Sequence, residues 1–97
     1  MTLLGSLSAA NTTYTLSDSV LNYKRIVTVS IYNGFILNSL EYPANSFVNK
    51  TIICCFNDGT IRKGQYDVTS NTTVKTAGGS GSTGWLNISR LEVYGVK

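Results

Sequence analysis

The sequence contains no histidine, and this absence excludes several kinds of active site. Ser-His-Asp and Cys-His arrangements need an imidazole as general base, and many zinc sites use it as a ligand. A glycosidase needs only two carboxylates about 5–10 Å apart across a cleft. Asp67 and Glu41, in predicted loops, are the carboxylates that a small glycan hydrolase would use. We expect no enzyme, no cofactor and no metal site.

Cysteine is scarce, and the two cysteines are neighbours, Cys54 and Cys55. Adjacent Cα atoms lie about 3.8 Å apart, below the usual disulfide range of about 4.4–6.8 Å. In a strand the two side chains would also point to opposite faces. We therefore predict two free, buried thiols and folding in a reducing cytoplasm.

Charge and long apolar runs are also scarce. Charged residues make up 13% of the chain, against about 25% in a typical soluble domain. Adjacent cations occur only at Lys24-Arg25 and Arg62-Lys63, whereas nucleic-acid binders usually cluster their cations on one face. No stretch approaches the roughly 18 apolar residues of a membrane span. We expect neither nucleic-acid binding nor membrane insertion.

The residues that are abundant, Val, Ile, Thr and Tyr, fit a pleated sheet. Val27, Val29 and Ile31 alternate with polar residues, as in a half-buried strand. Hairpin turns are predicted at Asn33-Gly34 and Asp58-Gly59. The sequence therefore predicts an all-β fold: one domain over residues 1–97, an antiparallel β-sandwich (jelly-roll-like) of about seven or eight short strands.

Several segments carry finer predictions. Residues 17–23 should form one short helical turn anchored by Val20, Leu21 and Tyr23. The apolar segment 51–56 should be a central strand covered on both faces. Residues 68–77 should form a polar strand at an edge or facing a neighbour. The glycine-rich run 78–84 should be a mobile loop before a last strand that lies between two others.

Six tyrosines are many for 97 residues, and each offers an apolar face and a hydrogen-bonding tip. Tyrosines in loops beside Asn and Ser suit contacts with sugars or with proteins. For any single tyrosine, packing at the rim of the core is the simpler interpretation. The candidate ligand contacts are Tyr32, Asn33, Tyr42 and Tyr66.

Three stretches together resemble the C-terminal tip domains of tailed-bacteriophage tail fibres and receptor-binding proteins. The first is LLGSLSAANTTYTLSDSVLNYKRIVTVSIYNG, with its apolar pair, Gly-Ser and Thr-rich strand. The second is the central hairpin TIICCFNDGTIRKGQY. The third is the closing strand GWLNISRLEVYGVK. The similarity spans essentially the whole chain, and the order of the stretches carries it.

This resemblance implies a homotrimeric β-sandwich tip on a virion that is assembled in the bacterial cytoplasm. It further implies binding to a bacterial surface glycan or protein, and contact with other virion tail proteins. Because receptor loops vary in that family, the resemblance assigns no ligand contact. A purely structural tail or capsid-decorating protein without its own receptor is the alternative.

Overall fold

The fold is an antiparallel β-sandwich, which confirms the predicted fold class. A computed structural model of the chain describes residues 1–78 and 84–97. The described residues form nine strands: β1 Thr2–Leu7, β2 Thr13–Thr15, β3 Arg25–Tyr32, β4 Phe35–Pro43, β5 Thr51–Asn57, β6 Ile61–Val68, β7 Thr73–Thr76, β8 Trp85–Leu86 and β9 Arg90–Val96. They also form two short 3-10 helices, Val20–Asn22 and Ala44–Ser46.

The strands form two sheets. One sheet has four strands in the order β1-β9-β3-β4. The other has the order β2-β7-β6-β5, with β8 pairing β6 in addition. β9 therefore lies between β1 and β3, which confirms the prediction for the last strand. The hairpins β3–β4 and β5–β6 each remain within one sheet, and both predicted turns connect them.

The main core lies between the sheets. Its largest fully buried side chains are Tyr66, Phe47, Leu7, Ile26 and Leu91. Strand β3 is buried on both faces, so it is not the half-buried strand that its alternation predicted. Thr28 faces the main core, while Val27, Val29 and Ile31 form a second cluster with Tyr94 and Val96 on the other face. The physical reason is that β3 is an inner strand between β9 and β4, and Tyr94 and Val96 of β9 pack against its outward side chains.

The predicted helical turn is present as Val20–Asn22, begun by Ser19, whose hydroxyl accepts the Leu21 N–H. Val20 and Tyr23 are buried, as predicted. Leu21 is 52% exposed, so its predicted anchoring role is wrong. A turn this short buries only one side, and Leu21 lies on the other.

The central position predicted for residues 51–56 is wrong, because β5 is an edge strand. Its burial alternates: Ile52 and Cys54 are buried, while Ile53 and Cys55 are exposed. Both thiols are free, as predicted, but only Cys54 is buried. The apolar residues on both faces of this segment therefore did not indicate that other elements of the fold cover both faces.

Two further strand predictions are corrected. Residues 68–77 are the end of β6, a turn and β7, and β7 lies inside the sheet between β2 and β6. The predicted single strand near the C-terminus is two strands, β8 and β9, which belong to different sheets. The backbone reverses between them at Asn87, where φ is 52°. Residues 79–83 of the predicted glycine-rich loop lie outside the described residues.

The two ends of the sandwich differ. At one end the chain termini meet, since Thr2 pairs with Gly95 and Arg25 pairs with Val96. At the other end lie three connections: the turn between β3 and β4, the turn between β5 and β6, and residues 87–89 between β8 and β9. These three connections are called the hairpin end below.

Candidate functional site

The hairpin end is built first by the turn that joins β3 to β4. Asn33 has φ 49° and Gly34 has φ 80°. Positive φ at both central residues is what the tight hairpin turn of type I′ requires. The Asn33 N–H donates to Ser89 Oγ at 3.0 Å, and the Ser89 N–H donates to the Ile31 carbonyl at 2.9 Å. The turn is therefore tied to the connection between β8 and β9.

Arg62 joins the second turn to the first. Its guanidinium carbon lies 3.8 Å from the centre of the Tyr32 ring. Its Nε donates to Asp58 Oδ2 at 3.1 Å, and a terminal nitrogen donates to the Asn87 carbonyl at 2.9 Å. The hydrogen bond from Arg62 lowers the pKa of Asp58. Asn87 Nδ2 in turn donates to the Ile61 carbonyl at 3.1 Å. All three connections are thus linked to one another.

Apolar side chains project from this linked frame into solvent. Apart from Met1, the three most exposed large apolar side chains among the described residues are Phe35 at 74%, Ile36 at 71% and Ile61 at 54%. All three flank the hairpin turns. Exposed apolar side chains gathered at one end of a domain are candidates for contact with a partner.

The structure brings together two of the four predicted ligand contacts. Tyr32 and Asn33 are consecutive at the hairpin end, with Asn33 exposed and Tyr32 half-buried beneath Arg62. Tyr42 lies near the opposite end of β4, where it pairs with Ile26 and its ring packs 6.0 Å from that of Phe47. Burial raises the pKa of the Tyr42 hydroxyl.

Tyr66 is corrected as a ligand contact. It is 0% exposed, and its hydroxyl forms a 2.5 Å hydrogen bond with Thr28 Oγ1 across the core. Burial is also the main cause of its raised pKa. The inward-facing register of β6 places Tyr66 between the sheets, so it offers no surface to a ligand.

The five carboxylates form hydrogen bonds with polar or basic side chains. Each of the five bonds a hydroxyl, an amide or a guanidinium: Asp18 with Asn22 and Tyr23, Glu41 with Arg25, Asp58 with Arg62, Asp67 with Thr51, and Glu92 with Arg90 and Tyr94. Glu41 belongs to the four-stranded sheet and Asp67 to the five-stranded sheet. Within the described part of the chain, no group of acidic or cysteine side chains could hold a metal ion.

An open groove of about 380 Å³ lies at the other end of β5 and β6. It is lined by Asn49, Lys50, Thr51, Asp67, Val68 and Thr69. Thr51 Oγ1 donates to Asp67 Oδ1 at 2.6 Å within it. None of the four predicted ligand contacts lines this groove, and none of its lining residues is aromatic.

The sequence reasoning missed the residues that give the hairpin end its character: Phe35, Ile36, Ile61 and Arg62. It predicted the tight turn at Asn33-Gly34 but gave Phe35 and Ile36, which follow that turn, no part in the site. The sequence did contain a usable signal for an exposed apolar site. Phe35 and Ile36 are large apolar residues that directly follow a tight turn, and such a turn lies beyond the main core. Consecutive residues of a strand also point to opposite faces, so at least one should face outward.

Comparison with known proteins found no matching family model, no matching curated protein and no matching solved structure. Among the described residues, no helix has the length and apolar character needed to cross a membrane.

Proposed function

We propose that this chain is a non-enzymatic recognition module of a phage tail fibre, and that the hairpin end is its receptor-contact surface. The observation that carries the proposal is the exposure of Phe35, Ile36 and Ile61 together at one end. The sequence resemblance to fibre tip domains supports the same assignment. The receptor class is a bacterial surface glycan or protein, and the chain works on the virion beside other tail proteins.

The physical argument begins with the cost of leaving apolar surface in water. Each Å² that a receptor covers contributes roughly 25 cal/mol of transfer free energy. Part of that gain is normally lost in ordering flexible side chains and loops. Here the Asn33 bond to Ser89 and the Arg62 contacts with Tyr32 and Asp58 hold the turns in place beforehand. Apolar side chains beside turns that are already held in place lose less free energy to ordering on binding.

The position of the hairpin end also suits recognition. The chain termini lie at the opposite end of the sandwich, which measures 37 Å along its longest axis. A receptor could therefore approach Phe35 and Ile36 without meeting either terminus. The exposed Asn33 adds an amide that can form hydrogen bonds with polar groups of the receptor, and Tyr32 lies beside it.

The test is binding of the purified, fluorescently labelled chain to intact bacterial cells from a panel of candidate hosts. Phe35→Ser and Ile36→Ser should each weaken binding by about tenfold or more, as for central residues of a contact surface. Leu21→Ser is the matched control, because Leu21 is 52% exposed near the termini. It should change binding by less than about twofold.

Two results would contradict this proposal. Binding that Leu21→Ser weakens as much as Phe35→Ser would place the contact elsewhere. Failure to bind any cell in a panel that the parent virion infects would favour a structural tail or capsid-decorating protein.

A further inference from the structure

Strand β5 has an edge that pairs with no strand among the described residues, and this edge is called its free edge below. It runs over Thr51–Asn57 at the margin of the five-stranded sheet, and its register against β6 is unbroken. Its sequence, TIICCFN, contains no charge, no proline and no glycine. Natural edge strands usually carry a charge, a proline or a bulge, because these prevent another strand from pairing with the edge. This edge has none of them.

The backbone of β5 determines which residues could pair outward. The Cys55 carbonyl points away from β6, because it accepts a bond of 3.5 Å from Asn38 Nδ2. In an antiparallel sheet, alternate residues direct their backbone groups to the same side. The N–H and C=O groups of Thr51, Ile53, Cys55 and Asn57 therefore face the free edge.

Charges of opposite sign lie directly beyond the two ends of the strand. Lys50 precedes β5 and Asp58 follows it. Lys50 is exposed and has no ion pair among the described residues. The Asp58 side chain is 39% exposed, although it already bonds Arg62. When a second copy of the strand is laid antiparallel, Lys50 of each copy can meet Asp58 of the other.

We propose that two copies of this chain pair through β5 about a two-fold axis at Cys54, with Lys50 of each copy opposite Asp58 of the other. In this register Ile53 lies opposite Cys55 of the second copy, and Thr51 lies opposite Asn57. These are the residues whose backbone groups face the edge, so each such pair exchanges both of its hydrogen bonds. The positions of Lys50 and Asp58 and the direction of the backbone hydrogen-bonding groups therefore favour the same register.

Side-chain burial favours the same pairing. Ile53 is 49% exposed and Cys55 is exposed in the single chain. Ile53 of each copy would pack against Cys55 of the other, on the outer face of a continuous sheet that passes from one copy to the next. The bond from Asn38 to the Cys55 carbonyl is long and would be replaced by a backbone bond.

This assembly is a dimer, whereas the family resemblance implies a homotrimer, and solution mass distinguishes them. The pairing does not depend on the hairpin end acting as a receptor site. Cell binding and self-association can therefore succeed or fail separately.

The first experiment measures the mass of the purified chain by light scattering and its dissociation constant by sedimentation. The wild-type chain should form a dimer. Lys50→Glu should raise the dissociation constant by about tenfold or more, because the introduced carboxylate would face Asp58 twice in each dimer. Lys24→Glu, the same charge change at an exposed site outside β5, is the control and should shift it by less than about threefold.

Mixing variants tests the charge pairing itself. Asp58→Lys alone should also weaken the dimer, because Lys50 would then face a second cation. In a dimer of one Lys50→Glu chain and one Asp58→Lys chain, the two substituted side chains face each other with opposite charges at one contact. The other contact keeps the native pair of Lys50 and Asp58. Mixing the two variants should therefore produce dimers. Circular dichroism confirms that each variant is folded. A mixture that associates no better than its two components would contradict the register.

Oxidation with copper-phenanthroline at neutral pH tests the register directly. Both chains carry Cys54→Ala, because Cys54 of the two copies would otherwise lie opposite each other at the two-fold axis. A chain that also carries Ile53→Cys and Cys55→Ser should become linked to the chain that keeps Cys55, because Cα atoms in such a pair lie about 5.5 Å apart. Linkage of the Ile53→Cys variant to itself would instead indicate another register. A monomer at hundreds of micromolar, a trimer, or a dimer insensitive to Lys50→Glu would overturn the proposal.

Discussion

At the scale of single residues, Cys54 and Cys55 show how one step along a strand changes chemistry. Cys54 lies in the main core, where burial raises the pKa of its thiol to about 11. Cys55 points to the outer face of β5 and is exposed. Their separation by one residue places them on opposite faces, as the sequence predicted, but exposure differs because β5 is covered on one face only.

The two thiols should therefore react at different rates with a disulfide reagent such as dithionitrobenzoate. At pH 8 a thiol of pKa about 11 is ionised to only about one part in a thousand, and the thiolate is the reactive form. At protein concentrations too low for pairing through β5, one thiol per folded chain should react rapidly, and the second only after unfolding. Cys55→Ser should remove the rapid phase. Equal rates for both thiols in the folded chain would contradict the burial of Cys54.

At the scale of elements, β9 depends on close contact with the short helical turn. Gly95 lies in β9 between Thr2 of β1 and Ile26 of β3. A Cβ atom at this position would lie 2.5 Å from the Tyr23 ring. That ring cannot easily move, because its hydroxyl bonds Asp18 Oδ2 at 3.0 Å and it is 9% exposed. Glycine here permits the ring to cover the strand.

Gly95→Ala should therefore lower the free energy of unfolding by about 1–3 kcal/mol, the usual cost of overpacking. Urea unfolding followed by tyrosine fluorescence measures the change. Gly78→Ala is the matched control, since the added Cβ there would meet no atom within 4 Å among the described residues, its chain neighbours aside. It should change the free energy of unfolding by less than about 0.5 kcal/mol. Similar losses in both variants would show that the Tyr23 contact is unimportant.

At the scale of the whole molecule, stability should depend on pH through carboxylates alone in the acid range. Hydrogen bonds lower the pKa of three of them: those from Asn22 and Tyr23 to Asp18, from Arg62 to Asp58, and from Tyr94 and Arg90 to Glu92. A carboxyl whose pKa is lower in the folded state stabilises the fold above its unfolded pKa. That contribution is lost as pH falls through the folded pKa.

The melting temperature should accordingly be nearly constant between about pH 5 and 8, because no histidine titrates there, and should fall below about pH 4. Differential scanning calorimetry across this range measures it. Glu92→Gln should lower the melting temperature at neutral pH and reduce its further loss in acid. A steep change between pH 5 and 8, or an acid loss unaltered in Glu92→Gln, would contradict this assignment.

The candidate site was predictable in part. Tyr32 and Asn33 were placed correctly beside a tight turn, since Asn-Gly is a local signal for positive φ. Arg62 was not predictable, because its contacts with Tyr32 and Asn87 join segments far apart in the chain. Tyr66 was wrongly predicted to be a ligand contact, although it is buried. The face of β6 on which its side chain lies depends on the register of β6 against its neighbouring strands.

The sequence by itself determined the all-β class, both hairpin turns and the absence of a bond between the two cysteines. These follow from local geometry: side-chain alternation, turn dihedral angles and the distance between adjacent Cα atoms. The tertiary structure alone decided that β5 is an edge, that β7 is inside and that three connections meet at the hairpin end. Strand order results from burying apolar surface between distant segments, and no local pattern encodes which segments become neighbours.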